Sequence, residues 1–115
     1  MLLFKLHHDD LDKSLDAVRA RALAPENSAI AADEAHIRYI MGEDAAAIAA
    51  LRRVTAVDPD FIGAWRYLEW ILLTEGDDRG FLDAARRHAA LRDQAARLAL
   101  LARAEAALDR SGRPA

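Results

Sequence analysis

Residues 24–43 read APENSAIAADEAHIRYIMGE, and residues 58–77 read DPDFIGAWRYLEWILLTEGD. The second stretch begins 34 residues after the first, and both have proline at the second position and glycine at the nineteenth. Proline ends a preceding helix, and glycine readily takes the left-handed conformation that closes one. The spacing therefore predicts a helix between each proline and glycine, within an internal repeat. The landmark residues are Pro25, Gly42, Pro59 and Gly76.

The composition is that of an all-helical protein. Ala, Leu, Arg, Asp and Glu dominate the 115 residues, whereas glycine and proline number only 5 and 3. Val, Ile and Thr are too few and too scattered to form strands, so an all-α fold is predicted. A chain of this length can bury a core as one domain. The abundance of Ala and Arg is also typical of bacterial proteins.

The cysteine content and the N-terminal residues indicate the cellular compartment of the protein. The chain has no cysteine, which excludes disulfides and thiolate metal sites and is compatible with a reducing cytoplasm. The apolar run 1–6 is interrupted by Lys5 and is too short for a signal peptide or a membrane span. We therefore expect a cytoplasmic protein with no membrane partner. The net charge of −3 argues against nucleic acid as the main partner.

Apolar spacing predicts five or six helices. A stripe at spacings of 4, 3 and 4 indicates a first helix that ends at Pro25; its residues are Leu11, Leu15, Val18 and Ala22. Further helices are predicted over about 28–41, from after Glu43-Asp44 to about 57, and over about 61–75. Residues 79–110 fit one long helix, or two with a break near Arg92-Asp93 and Asp93 as the cap of the second. We favour two, because a stack of helices needs a cover on its last apolar face. Residues 111–115 are expected to fray.

Residues 62–95 resemble a unit of the tetratricopeptide-repeat (TPR) family, whose 34-residue signature places Trp, Leu, Gly, Tyr, Ala, Phe and Pro at fixed offsets. Trp65 and Leu68 stand at the Trp and Leu positions, Glu69 replaces Gly, and Leu72 replaces Tyr. The small residue that should follow the turn is displaced by about three positions, to Ala84. This displacement predicts a longer turn between the two helices than the family standard.

Residues 28–61 resemble the same unit mainly in their second half. The expected small, apolar and proline positions are filled by Ala35, Ala47, Ile48, Leu51, Val54 and Pro59. The first half departs, since Ala31, Glu34 and Arg38 replace Trp, Leu and Tyr. Either this helix is rotated to turn Ile30, Ile37 and Met41 inward, or its inner face is partly polar, with Glu34 and Arg38 paired at i, i+4. Residues 10–27 resemble the second helix of a preceding unit, so the resemblance covers about 10–95.

The resemblance implies antiparallel helix pairs stacked as a short right-handed α-solenoid over residues 1–110, as a single domain. It also implies an adaptor or scaffold that binds a helix or apolar peptide of a protein partner in a groove. The family's groove positions fall on Ala29, Ala32, His36, Tyr39, Ile40, Gly63, Arg66, Trp70, Leu73 and Thr74. Of these, the expected partner-binding residues are His36, Tyr39, Arg66, Trp70 and Leu73. Because His36 and Trp70 stand where some family members carry Asn, no carboxylate clamp is expected.

Alternatives to this interpretation remain open. Trp70 can instead pack against a terminal helix of the same chain. The charge is divided between −7 over residues 1–78 and +4 over residues 79–115. This division fits solvated or mutually attracting ends, a basic C-terminal face that docks on an acidic partner, or head-to-tail association into a homodimer or array. An accessory domain of a larger enzyme is a further alternative.

No catalytic, cofactor or metal site is predicted, and the protein is not expected to be an enzyme. His7-His8-Asp9-Asp10 has the composition of a metal site, but adjacent residues rarely converge on one ion, so an exposed helix cap is favoured. His88 lies on an apolar stripe and is expected to be a histidine at the edge of the core. The sequence has no Gly-rich phosphate loop, no Cys nucleophile and no Ser with a plausible His and acid arrangement.

Overall fold

A computed structural model describes residues 27–112, and all regular structure in that range is α-helical. The helices are α1 (Ser28–Ile40), α2 (Asp44–Val57), α3 (Ile62–Glu75), α4 (Asp78–Leu91) and α5 (Ala95–Ser111). The all-α prediction is therefore confirmed for these residues, and the predicted bounds of the first three lie within about one residue of those observed. The helix predicted between Leu11 and Pro25 lies outside the described residues. The chain divides between Ala64 and Trp65 into two compact units.

Helices α1 and α3 end with the same backbone motif. Gly42 and Gly76 have φ angles of +88° and +79°, in the left-handed region that glycine adopts without steric cost. Their N–H groups donate to the carbonyl oxygens three residues earlier, at 3.0 and 3.1 Å. The next N–H, of Glu43 or Asp77, reaches back five residues at 2.9 Å in both helices. This is the Schellman arrangement, so the repeated glycine of the sequence corresponds to a repeated helix end.

The turn between α3 and α4 is short, and the prediction of a longer turn is wrong. Only Gly76 and Asp77 separate the two helices. The carboxylate of Asp77 accepts a hydrogen bond of 2.9 Å from the N–H of Gly80, and this cap starts α4 at once. Ala84 is consequently the seventh residue of its helix, whereas Ala47 is the fourth residue of α2. The displaced alanine thus reflects one more helical turn, not a longer loop.

The region 79–110 contains two helices, as favoured from the sequence, but Asp93 does not cap the second. The N-cap of α5 is Gln94, whose side chain makes no capping hydrogen bond. Asp93 instead has a φ angle of +54° and closes α4. The N–H groups of Asp93 and Gln94 donate to the carbonyls of Ala90 and Ala89 at 3.2 and 2.9 Å. Asp93 therefore takes the position that glycine takes at the ends of α1 and α3.

Substituting this aspartate with glycine is expected to stabilise the protein. The left-handed conformation costs a residue with a Cβ about 1 kcal/mol, and glycine avoids this cost. Part of the gain is offset, because glycine loses more backbone entropy on folding. We expect Asp93→Gly to raise the free energy of unfolding by roughly 0.5 kcal/mol, measured by urea denaturation. Asp93→Ala is the matched control, because it removes the carboxylate and keeps the Cβ. Stabilisation by both variants alike would trace the effect to the charge instead.

In the described part of the first unit, helices α1 and α2 bury mainly small residues. Ala32 and Ala35 of α1 have 1% and 0% of their surface exposed, and Ala47 and Leu51 of α2 have 0%. Alanine at such positions lets two helix axes approach closely. Ile30, Ile37 and Met41 are half-buried, as are Glu34 and Arg38. Glu34 and Arg38 form the expected i, i+4 pair at 3.2 Å, with side chains 21% and 22% exposed.

In the second unit, α4 and α5 share a cluster of buried apolar residues: Leu82, Ala85, Ala89, Leu101 and Leu108. Four residues of α3 and one of α4 are also buried: Trp65, Leu68, Ile71, Leu72 and Ala84. Phe81 and Leu98 pack against the cluster that α4 and α5 share. Leu101 and Leu108 are seven residues apart, so one stripe of α5 faces inward. The opposite side of α5 is exposed, and the helix ends at Ser111 with Gly112 as its left-handed cap, one residue beyond the predicted bound.

Candidate binding surface

The outward side of α3 carries three of the predicted partner-binding residues. Arg66, Trp70 and Leu73 are spaced by four and three residues, which places them on one face of the helix. Leu68 and Ile71, on the opposite face, are fully buried. Trp70 and Leu73 nevertheless have 45% and 56% of their surface exposed. A helix that is apolar on both sides, with one side open, is a common feature of partner-binding surfaces.

Two local contacts within α3 involve residues of this face. The guanidinium carbon of Arg66 lies 5.9 Å from the centre of the Tyr67 ring, within the range of a cation–π contact. The hydroxyl of Thr74 donates to the backbone carbonyl of Trp70 at 2.9 Å. The alternative that Trp70 packs against a terminal helix stays open, because the predicted N-terminal helix lies outside the described residues.

The remaining two predicted residues lie on α1, in the first unit. His36 and Tyr39 are both half-buried there, three residues apart and therefore on one side of the helix. Their participation in a groove with the α3 residues stays a prediction. Ala32, another of the carried-over groove positions, is 1% exposed and packs in the core instead. A partner therefore cannot reach that side chain in this structure.

A polar cluster inside the second unit was not predicted. Oε1 of Glu69 lies 2.8 Å from Nη2 of Arg97 and 3.2 Å from Nδ1 of His88. The side chains of Glu69 and His88 are only 17% and 12% exposed. Because a carboxylate only accepts hydrogen bonds, Nδ1 of His88 carries the proton of this contact. Nε2 is buried, with no hydrogen-bond partner among the described residues.

The cluster joins all three helices of the second unit through one carboxylate. Glu69 belongs to α3, His88 to α4 and Arg97 to α5. The sequence signal was the presence of Glu69 at the position where the TPR signature has glycine. A charged residue there needs partners when it is buried, and the two partners are 19 and 28 residues away. His88 is a histidine at the core edge, as predicted, and its role is structural.

Charged pairs also connect the exposed sides of α4 and α5. Arg79 contacts Asp109 at 2.7 Å and Arg86 contacts Glu105 at 2.8 Å. The guanidinium carbon of Arg87 lies 5.4 Å from the centre of the Trp65 ring. The two ion pairs occupy both carboxylates of α5, so the charge of its outer side comes from its arginines.

Within residues 27–112, no three His, Asp or Glu side chains converge as they would around a metal ion. The sequence His7-His8-Asp9-Asp10 lies outside the described residues. In the same part of the chain, none of the helices combines the length and the apolar character that a membrane crossing requires.

No protein-family model matches the chain, and no curated protein matches it either. The link to the TPR family therefore rests on the residues of the sequence alone.

Proposed function

We propose that this protein is a TPR-like interaction module that binds a helix or apolar peptide of a partner protein on the outward face of α3. The observation that carries the proposal is the exposure of Trp70 and Leu73 beside Arg66 on a helix whose other face is buried. Trp and Arg are enriched among the residues that dominate binding energy at interfaces. The proposal includes stacking of the helix pairs as a right-handed α-solenoid and a scaffold or adaptor role in the cytoplasm.

The repeated helix ends and buried alanines support the helical-repeat part of the proposal. Gly42 and Gly76 close their helices with the same hydrogen bonds 34 residues apart. Ala35, Ala47 and Ala84, which stand at or near the small-residue positions of the family, are at most 1% exposed. A helical repeat acts through surfaces that its stacked helices present, with no catalytic group required.

The chemistry of the α3 face suggests what the partner carries. Trp70 and Leu73 offer an apolar contact one helical turn long, suited to anchors at i and i+4 of a helix. Arg66 at its edge suits a carboxylate near those anchors. In this proposal His36 and Tyr39 of α1 contribute further contacts. A terminal carboxylate is not the recognised group, because Asn is absent from the positions where it would be bound.

The experiment compares wild type with Arg66→Ala/Trp70→Ala in a pull-down from the native host lysate, with mass spectrometry of the bound proteins. A protein retained by wild type and lost with the variant supports the proposal. The matched control is Arg53→Ala/Val57→Ala, an exposed arginine and apolar residue with the same i, i+4 spacing on α2; it should retain the protein. Circular dichroism must show unchanged helicity in both variants. Unfolding of the Arg66→Ala/Trp70→Ala variant would place Trp70 in the core and refute the proposed binding surface on α3.

Self-association is the second candidate, favoured by the division of charge between −7 over residues 1–78 and +4 over residues 79–115. In that case the exposed apolar face meets another copy of the chain, as a homodimer or array. Light scattering after size exclusion distinguishes the two. A mass of one chain excludes self-association, whereas a larger mass that falls with Arg66→Ala/Trp70→Ala supports it.

A further inference from the structure

The outer side of α5 is a second exposed face, separate from that of α3. Five of its residues follow one another at spacings of 4, 3, 4 and 3, and all five are exposed: Ala96, Leu100, Arg103, Ala107 and Arg110. We call this set the outer stripe. It lies opposite Leu101 and Leu108, which are buried, and it runs for about 21 Å along the helix. Leu100, at 62% exposure, is its one large apolar side chain.

The spacing of the outer stripe is that of a helix–helix contact. Alternating steps of three and four residues keep a stripe facing a second helix over two heptads. The alanines in and beside the stripe would let that helix approach to about 8 Å, the short end of the usual range. A shallow cavity of about 540 Å³ lies along the same side, lined by Leu100, Arg103, Ala104, Ala106, Ala107 and Arg110.

The charge of the stripe is entirely positive. Both carboxylates of α5, Glu105 and Asp109, are held by arginines of α4, and Arg97 is held by Glu69. Within residues 27–112, Arg103 and Arg110 have no such ion pair. Their Cα atoms lie two helical turns apart, about 10 Å along the helix axis, on either side of Ala107. The internal pairing thus removes the negative charge of the helix and leaves two cations on its open side.

The charges argue against pairing of two α5 helices. The outer stripe has two arginines and no acidic residue, so two copies face to face would bring like charges together. A helix with Glu or Asp at matching positions would pair with both arginines and cover Leu100. We propose that the outer stripe docks an acidic amphipathic helix of a partner protein. This proposal does not depend on the function assigned to α3.

The test uses two synthetic helical peptides of about 18 residues and the complete protein labelled with ¹⁵N. Each peptide carries Leu and Ala at alternating steps of three and four; one has Glu at the flanking positions and the other has Lys. We expect the Glu peptide alone to bind, more weakly at higher salt, with chemical-shift changes along the outer stripe. Changes centred on α3, or equal binding of both peptides, would overturn the proposal.

Charge reversal provides the second part of the test. Arg103→Glu/Arg110→Glu should weaken binding of the Glu peptide by roughly 30-fold, since each reversal turns an attraction into a repulsion, and should allow the Lys peptide to bind. Arg52→Glu/Arg53→Glu makes the same change in net charge at exposed positions of α2 and should bind the Glu peptide within about twofold of wild type. Equal weakening by both variants refutes a specific site. A wild-type dimer dissociated by the α5 variant would identify a second copy as the occupant and also refute the proposal.

Discussion

Trp65→Ala is expected to lower the free energy of unfolding by about 3–5 kcal/mol, the usual cost of truncating a buried tryptophan. Trp65 is 7% exposed, and the centre of its ring lies 5.4 Å from the guanidinium carbon of Arg87. Its removal leaves a large void and an arginine without its aromatic contact. Since small domains are stable by only about 5–15 kcal/mol, urea denaturation should show a much lower midpoint.

Trp70→Ala is the matched control for that measurement. It makes the same substitution five residues later in the same helix, at a side chain 45% exposed. We expect it to cost about 1 kcal/mol or less, as surface substitutions usually do. Trp65→Phe, which keeps most of the apolar volume, should fall between the two alanine variants. Equal costs for Trp65→Ala and Trp70→Ala would show that the two faces of α3 are wrongly assigned as core and surface.

Glu69→Ala is expected to cost about 2 kcal/mol, because it leaves two polar partners without their shared acceptor. The carboxylate is 17% exposed and accepts from Arg97 at 2.8 Å. Without it, the Nδ1 proton of His88 loses its acceptor, and Nε2 of the same ring already lacks a partner among residues 27–112. The measurement is urea denaturation monitored by circular dichroism.

Two variants separate the cluster from helix propensity and from surface charge. Glu69→Gln keeps a neutral acceptor and should cost less than Glu69→Ala. Glu105→Ala removes a carboxylate 39% exposed that pairs with Arg86, and its loss should cost less than about 1 kcal/mol. In a double-mutant cycle, Glu69→Ala and Arg97→Ala should not be additive, because they remove the same contact. Additive losses in the free energy of unfolding would show that the contact between Glu69 and Arg97 does not stabilise the protein.

The helix ends were predictable because their causes are local. Glycine at positions 42 and 76 closes a helix through its own backbone freedom, and Pro59 cannot continue one. The break at Asp93 was placed correctly, but its geometry was not. Aspartate caps the start of a helix far more often than it closes the end of one, so the residue type pointed to the wrong role. The length of the turn before α4 was misjudged for a related reason, since it was inferred from the distant Ala84 and not from the cap at Asp77.

The polar cluster and the paired carboxylates of α5 could not be predicted, because they depend on contacts between helices. Glu69, His88 and Arg97 are separated by 19 and 9 residues, and no helical periodicity relates them. The exposed face of α3 was partly predictable. The family resemblance placed Trp65 at the signature Trp position and Trp70 in the groove, and the structure shows Trp65 7% exposed and Trp70 45% exposed.

Because Gly42 and Gly76 end their helices in the same way, residues 43–76 form a segment whose two junctions have the same backbone conformation. The segment follows a left-handed glycine and finishes on one, with the same pair of backbone hydrogen bonds at each junction. A second copy of residues 43–76 inserted after Gly76 would follow a left-handed glycine, as the native segment does. Asp77 would also still follow a left-handed glycine. Tandem duplication of the corresponding gene segment could therefore lengthen this protein by whole units that keep the same backbone junction.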